Sequence, residues 1–180
     1  MPNVQKKKIV SSMAVAKLRI SGIEAESIVD GPGLRYVVFT QGCPHQCFGC
    51  HNPETHALNS GYEIFIQEII NDFLNNPLLS GMTFSGGEPF LQAESLVLLA
   101  NIVKKIGKTL VTYTGYTYER LLELGKCNPS IIHLLELIDI LIDGPFQISQ
   151  RDLQLSFRGS ANQRILYRMD RQRIKDQLKY

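Results

Sequence analysis

No apolar run in these 180 residues approaches the length needed to cross a bilayer, so no membrane partner is expected. The charges nearly cancel, with 19 Lys and Arg against 17 Asp and Glu, and no basic motif is interleaved with aromatic residues. Nucleic acid is therefore not an expected partner either. Cysteine is scarce: four thiols are far too few for a disulfide scaffold. No local motif suggests a Ser-His-Asp set, which leaves hydrolytic nucleophilic catalysis without a candidate. The remaining composition, 44% hydrophobic and 20% charged, suits one soluble globular domain.

Against this scarcity, three of the four cysteines fall within eight residues, spaced Cys43-x3-Cys47-x2-Cys50, directly after an apolar run that ends at Gln41-Gly42. Thiolates hold iron-sulfur clusters, usually four to a cluster, so three in one loop suggest a cluster with one iron left open for chemistry. A structural zinc site is the competing reading. It would need a fourth ligand from His45, His51 or His56, and zinc ligands more often come as two pairs. Three crowded thiols cannot all pair as disulfides. Cys127 is distant in sequence and reads as an ordinary thiol, since a fourth cysteine ligand would close the open position.

Residues 18–23 and 36–40 read as strands joined by a Gly-Pro turn at 30–33. Val37, Val38 and Phe39 run apolar without alternation, as in a strand buried on both faces. A helix is predicted over 62–75, with Ile66, Ile69, Ile70, Phe73 and Leu74 at helical spacing, then a strand over 81–84. A further helix over 93–106 leads to a strand over 108–113, and helices near 118–124 and up to 137 lead to a strand over 138–143. Strands and helices alternating in this way require parallel pairing, so the fold class is α/β, with its site at the C-terminal ends of the strands.

The second stretch of interest is Ser85-Gly86-Gly87-Glu88-Pro89, where paired glycines let the backbone approach a ligand closely. The cysteine spacing is similar to the signature of the radical S-adenosylmethionine superfamily, and this stretch resembles that superfamily's second motif. Residues 29–35, the Cys-His-Asn-Pro-Glu-Thr run through Thr55, Thr114-Gly115-Tyr116, residues 143–146 and residues 158–164 narrow the resemblance. They are similar to the activating proteins of anaerobic ribonucleoside-triphosphate reductases, relatives of the pyruvate formate-lyase activating enzyme. The match covers roughly residues 18–166.

The resemblance implies a partial (β/α) barrel, open on one side. It implies a 4Fe-4S cluster on Cys43, Cys47 and Cys50, whose fourth iron binds S-adenosylmethionine, with Gly49, Cys50, His51, Gly86, Gly87 and Glu88 as cofactor contacts. It further implies reductive cleavage to a 5′-deoxyadenosyl radical, which makes a glycyl radical on the reductase, and a one-electron donor such as flavodoxin or ferredoxin. Cofactors would then carry the hard chemistry. The residue before the last cysteine is often aromatic in the superfamily; here it is Gly49, and His51 or Phe48 is expected to take over its packing. The activator of another glycyl-radical enzyme, a small-molecule radical enzyme and a non-enzymatic metal module remain alternatives.

The expected organisation is a flexible extension over residues 1–17 and a single domain over 18–180. Lys6-Lys7-Lys8 and the apolar stretch behind it imitate a signal peptide faintly, but Ser11-Ser12 interrupts it and a low-potential cluster belongs in a reducing, cytoplasmic compartment. A translation start at Met13 is an alternative. At the other end Arg164, Arg168, Arg171, Arg173, Lys175 and Lys179 outnumber Asp170 and Asp176, which reads as a solvated basic tail.

Overall fold

The computed structural model describes residues 15–178; Lys6-Lys7-Lys8, Met13 and Lys179 lie outside the described residues. Seven strands form one sheet: β1 (Lys17–Ser27), β2 (Arg35–Thr40), β3 (Tyr62–Phe65), β4 (Gly81–Gly86), β5 (Thr109–Tyr113), β6 (Ile140–Asp143) and β7 (Arg164–Tyr167). Their order is β3-β1-β2-β4-β5-β6-β7. The centre, β2-β4-β5-β6, is parallel, while β1 runs antiparallel to both β2 and β3, and β7 antiparallel to β6. Among the described residues β3 and β7 are the edges, and the sheet does not close. The architecture is an α/β partial barrel, open on one side.

Among the described residues five α-helices follow the strands: α1 (Ile66–Asn75), α2 (Ala93–Lys105), α3 (Tyr118–Gly125), α4 (Pro129–Leu137) and α5 (Arg168–Gln177). Alternation along the strands divides the sheet. Tyr36, Val38, Met82, Phe84, Leu110 and Leu141 join the helices in one core with Ile66, Ile69, Phe73, Leu96, Leu99 and Leu134. Each such side chain removed from water contributes about 1.5–3 kcal/mol. Two helix starts are capped by short polar side chains: Thr117 accepts from the backbone N–H of Arg120, and Asn128 from that of Ser130 with Pro129 behind it.

The other face of the sheet carries Val37, Thr83 and Val111, partly covered by the turn that precedes β2. Thr83 Oγ1 donates to the Asp30 carbonyl at 2.9 Å, and a side chain at Gly31 would meet Val111. At the entry end of the parallel strands Arg35 is fully buried. Its guanidinium donates to Thr83 Oγ1, Thr109 Oγ1 and the carbonyls of Met82 and Thr109.

Two segments differ from the sequence reading. The predicted helix at Tyr62 begins at Ile66, because residues 62–65 pair along β1 from Ile20↔Tyr62 to Lys17↔Phe65. Residues 168–177 form a helix where a solvated tail was expected. Arg171 is buried there, donating to the carbonyls of Leu135 and Ile138 at 3.0 and 2.5 Å.

Register aligns the strand exits. Thr40 lies beside Gly86, Phe84 beside Thr112 and Tyr113 beside Ile142, so the loops after β2, β4, β5 and β6 gather at one end.

Candidate cluster and cofactor site

The loop after β2 is folded back on itself by its own backbone. Gly42 N donates to Thr55 O at 2.8 Å and Cys43 N to His56 O at 3.1 Å. Gln41 Nε2 reaches the carbonyls of Glu54 and Ala57 from beneath, and Thr55 Oγ1 donates to Asn52 O. Between the cysteines the chain turns through left-handed conformations at Gln46 (φ 47°) and Gly49 (φ 74°), the second readily adopted only by glycine.

This folding turns the three thiols toward one cavity of about 460 Å³. Burial pushes the Cys43 and Cys47 thiols up. Backbone N–H groups oppose that shift, those of His45 and Gln46 at Cys43 and that of Phe146 at Cys47. Asn52 N donates to Cys50 Sγ at 3.4 Å. Each sulfur thus faces at least one N–H, the kind of contact that tunes cluster-bound thiolates. No three His, Cys, Asp or Glu side chains among the described residues converge as a mononuclear metal site requires. Three cysteines that share one cavity and face backbone N–H groups are a donor set suited to an iron-sulfur cluster. His56 Nε2, buried on the same wall without a partner, leaves a further polar position for a bound group. The residues present fit a cluster and a cofactor.

The loop after β4 interlocks with the cysteine loop. Gly87 N donates to Thr40 O and Glu88 N to Gly42 O, both at 2.7 Å, and any side chain at 87 would overlap the Gly42 carbonyl. Gly86 and Gly87 line the cavity. Glu88 does not; its carboxylate is wholly buried and accepts from Phe90 N, Thr114 Oγ1, Gly115 N and His45 Nε2.

The loop after β6 closes the far side. Gln163 Oε1 accepts from the N–H groups of Gly159 and Ser160, while its Nε2 donates to Gly144 O. Asn162 Nδ2 donates to Pro145 O and Arg158 Nη1 to Gln163 O. The motif at 158–164 is therefore a fastening. It also supplies Arg158, the one Lys or Arg among the described residues that line the cavity. Below it Arg164 bridges the carboxylates of Asp143 and Glu119 and holds Glu119 below its ordinary carboxylate range.

The aromatic position is also accounted for. A side chain at Gly49 would meet Ile148 Cδ1 at 3.0 Å, so Ile148 and Phe146 fill the room that a larger residue would need. His51 lines the cavity with its ring 4.9 Å from that of Phe146, whereas Phe48 is 83% exposed and is not among the lining residues. Cys127 is exposed between α3 and α4, away from the cavity. From the sequence His45 is a possible zinc ligand, while Thr114, Arg158 and Gln163 are not singled out. Their only signal was membership of longer motif runs.

The family described as a 4Fe-4S single cluster domain matches residues 29–166. The anaerobic ribonucleoside-triphosphate reductase-activating protein of Escherichia coli (strain K12) is 36% identical over 146 residues, covering 76% of this chain and 90% of that protein. Its namesake in Vibrio cholerae is 38% identical over 148 residues, covering 77% and 90%. The pyruvate formate-lyase-activating enzyme of Clostridium pasteurianum is 37% identical over 127 residues, covering 67% of this chain and 53% of that one. Among solved structures, QueE from Escherichia coli is similar over 61% of this chain and 58% of that one, with a TM-score of 0.47 and 16% identity.

Proposed function

Because the chain belongs to the family of anaerobic ribonucleoside-triphosphate reductase-activating proteins, we propose that it is a radical S-adenosylmethionine enzyme that activates such a reductase. When bound, a 4Fe-4S cluster and S-adenosylmethionine supply the chemistry: one-electron cleavage to a 5′-deoxyadenosyl radical, which takes a hydrogen atom from a glycine of the reductase. The protein's own work is to bind, orient and exclude.

In this reading Cys43, Cys47 and Cys50 hold three irons. The backbone of Gly86 and Gly87 receives the amino end of the cofactor, and His51 with Phe146 offers an apolar wall beside Gly49. Arg158, the one Lys or Arg among the described residues of the lining, would face the anionic end. The observation that carries the proposal is convergence: three thiols, the glycine pair and Arg158, drawn from three separate loops, line one open cavity at the exits of parallel strands. Val29 and Leu153 stand at that cavity 71% and 82% exposed, leaving apolar surface at its mouth for a protein substrate. The electron arrives from a small carrier such as flavodoxin or ferredoxin. No described helix is long and apolar enough to cross a membrane. A cytoplasmic enzyme fits the reducing chemistry.

The test is anaerobic reconstitution with iron and sulfide, then reduction with S-adenosylmethionine and the host's anaerobic reductase. Electron paramagnetic resonance should show a glycyl-radical doublet on the reductase, absent with Cys47→Ala. Cofactor cleavage without the doublet would point to another glycyl-radical partner or a small molecule.

A further inference from the structure

Glu88 belongs to a motif read as a cofactor contact, yet its carboxylate is wholly buried behind the cavity wall and receives hydrogen bonds from four groups of the protein. Phe90 N lies in its own turn. Thr114 Oγ1 and Gly115 N lie at the exit of β5, and His45 Nε2, at 2.8 Å, lies in the cysteine loop midway between Cys43 and Cys47. One carboxylate therefore ties together three of the segments that surround the cavity.

The His45 ring is held on its other sides as well. Its side chain is only 15% exposed and stands edge-on to Tyr116, with centroids 4.4 Å apart and planes at 73°. A methyl group at position 115 would overlap the ring. Gly115 does not have a positive φ, so its backbone would accept other residues. What glycine provides there is room for an imidazole.

We infer that His45 is a positioning residue for the cluster thiols, its ring seated in a socket made by Glu88, Tyr116 and the absent side chain at 115. The inference rests on the reading that Cys43 and Cys47 bind the cluster. A seated His45 fixes the stretch of loop between these two ligands before iron arrives, so less ordering remains to be done on binding. Groups that orient metal ligands in this way typically account for 10–100-fold in affinity, as a rough range.

The experiment measures iron loss to a chelator from the anaerobically reconstituted full-length chain, together with the electron paramagnetic resonance spectrum of the reduced cluster before and after addition of S-adenosylmethionine. Thermal melts of the iron-free proteins run in parallel. His45→Ala should release iron about 10–100-fold faster and alter the spectrum, with a melt close to that of the wild type. His45→Gln, whose amide can still donate to Glu88, should recover most of the retention. Gly115→Ala should mimic His45→Ala by displacing the ring and, because both act through one contact, should add little in the double variant. Wild-type retention and spectrum in His45→Ala, or independent multiplying effects of the two substitutions, would overturn the socket alone. A wild-type chain that takes up no iron would overturn the cluster reading and the socket together.

Discussion

The two ends of the parallel strands each bury a charged residue, and they do so with different partners. At the exit, Glu88 gathers donors from a histidine, a threonine and two backbone N–H groups in loops. At the entry, Arg35 gives its hydrogen bonds to neutral oxygens of β4 and β5 alone. Burial pulls the Arg35 guanidinium down to about 10, which still leaves it charged at neutral pH. Satisfying a buried charge with strand atoms stiffens a sheet that is already paired. Satisfying one with loop atoms gives loops a fixed relation that no strand pairing would provide. The same physical requirement, that a buried charge be fully hydrogen-bonded, thus makes a seal at one end and a positioning device at the other.

The contrast is sharpened most by removing a thiol. Cys47→Ala should abolish cluster incorporation and the glycyl-radical doublet, while the unfolding free energy of the iron-free chain changes by less than about 1 kcal/mol. Arg35→Ala should do the reverse, costing about 3–5 kcal/mol in urea unfolding of the iron-free chain as buried oxygens lose their donor and a cavity opens, with iron per folded molecule unchanged. Iron loss without destabilisation in that variant would break the comparison. Glu88→Gln should fall between them, losing about 1–3 kcal/mol as its amide meets donors where a carboxylate accepted them, and also losing iron to a chelator faster. Tyr36→Phe removes a 2.7 Å bond to Asp72 on the helix side. It should cost about 1 kcal/mol in the same urea assay and leave iron untouched.

The smallest effect concerns pH. Arg164 holds Glu119 below its ordinary value, so that pairing stabilises the fold above about pH 4.5 and is lost as pH falls through the depressed value. Both partners are a third or more exposed, so Glu119→Gln should flatten the acid limb of the stability curve by only a few tenths of a kcal/mol, roughly. Melts across pH 3–6 (about that range) measure it.

The order of central strands and helices was legible because apolar spacing and Gly-Pro turns are local signals. So was the cysteine loop, whose ligands fall within eight residues. Residues 62–65 were absorbed into the neighbouring helix because their strand character comes from pairing with β1, more than forty residues earlier in the chain. Arg171 was read as part of a charged tail since nothing local announces that it will cap α4's carbonyls from inside. The motif at 158–164 stood out, but its work is done by Asn162 and Gln163 on the backbone of distant residues. His45 and Glu88 are 43 positions apart, and only the folded sheet brings them together. Long-range satisfaction of polar groups has no periodicity to read.

The paired bonds from Gly87 to Thr40 and from Glu88 to Gly42 leave the two turns no slack. One added residue in either would slide a ladder of two bonds past its partner, press a side chain into the Gly42 carbonyl and lift Glu88 out of line with His45. Length cannot vary independently in either turn. The turn at Gly107 is tied differently: its missing side chain faces open space, and its N–H donates to Lys104 O within the end of its own helix rather than to another loop. For anyone grafting this site onto another scaffold, the two turns are a single cassette that has to be moved whole.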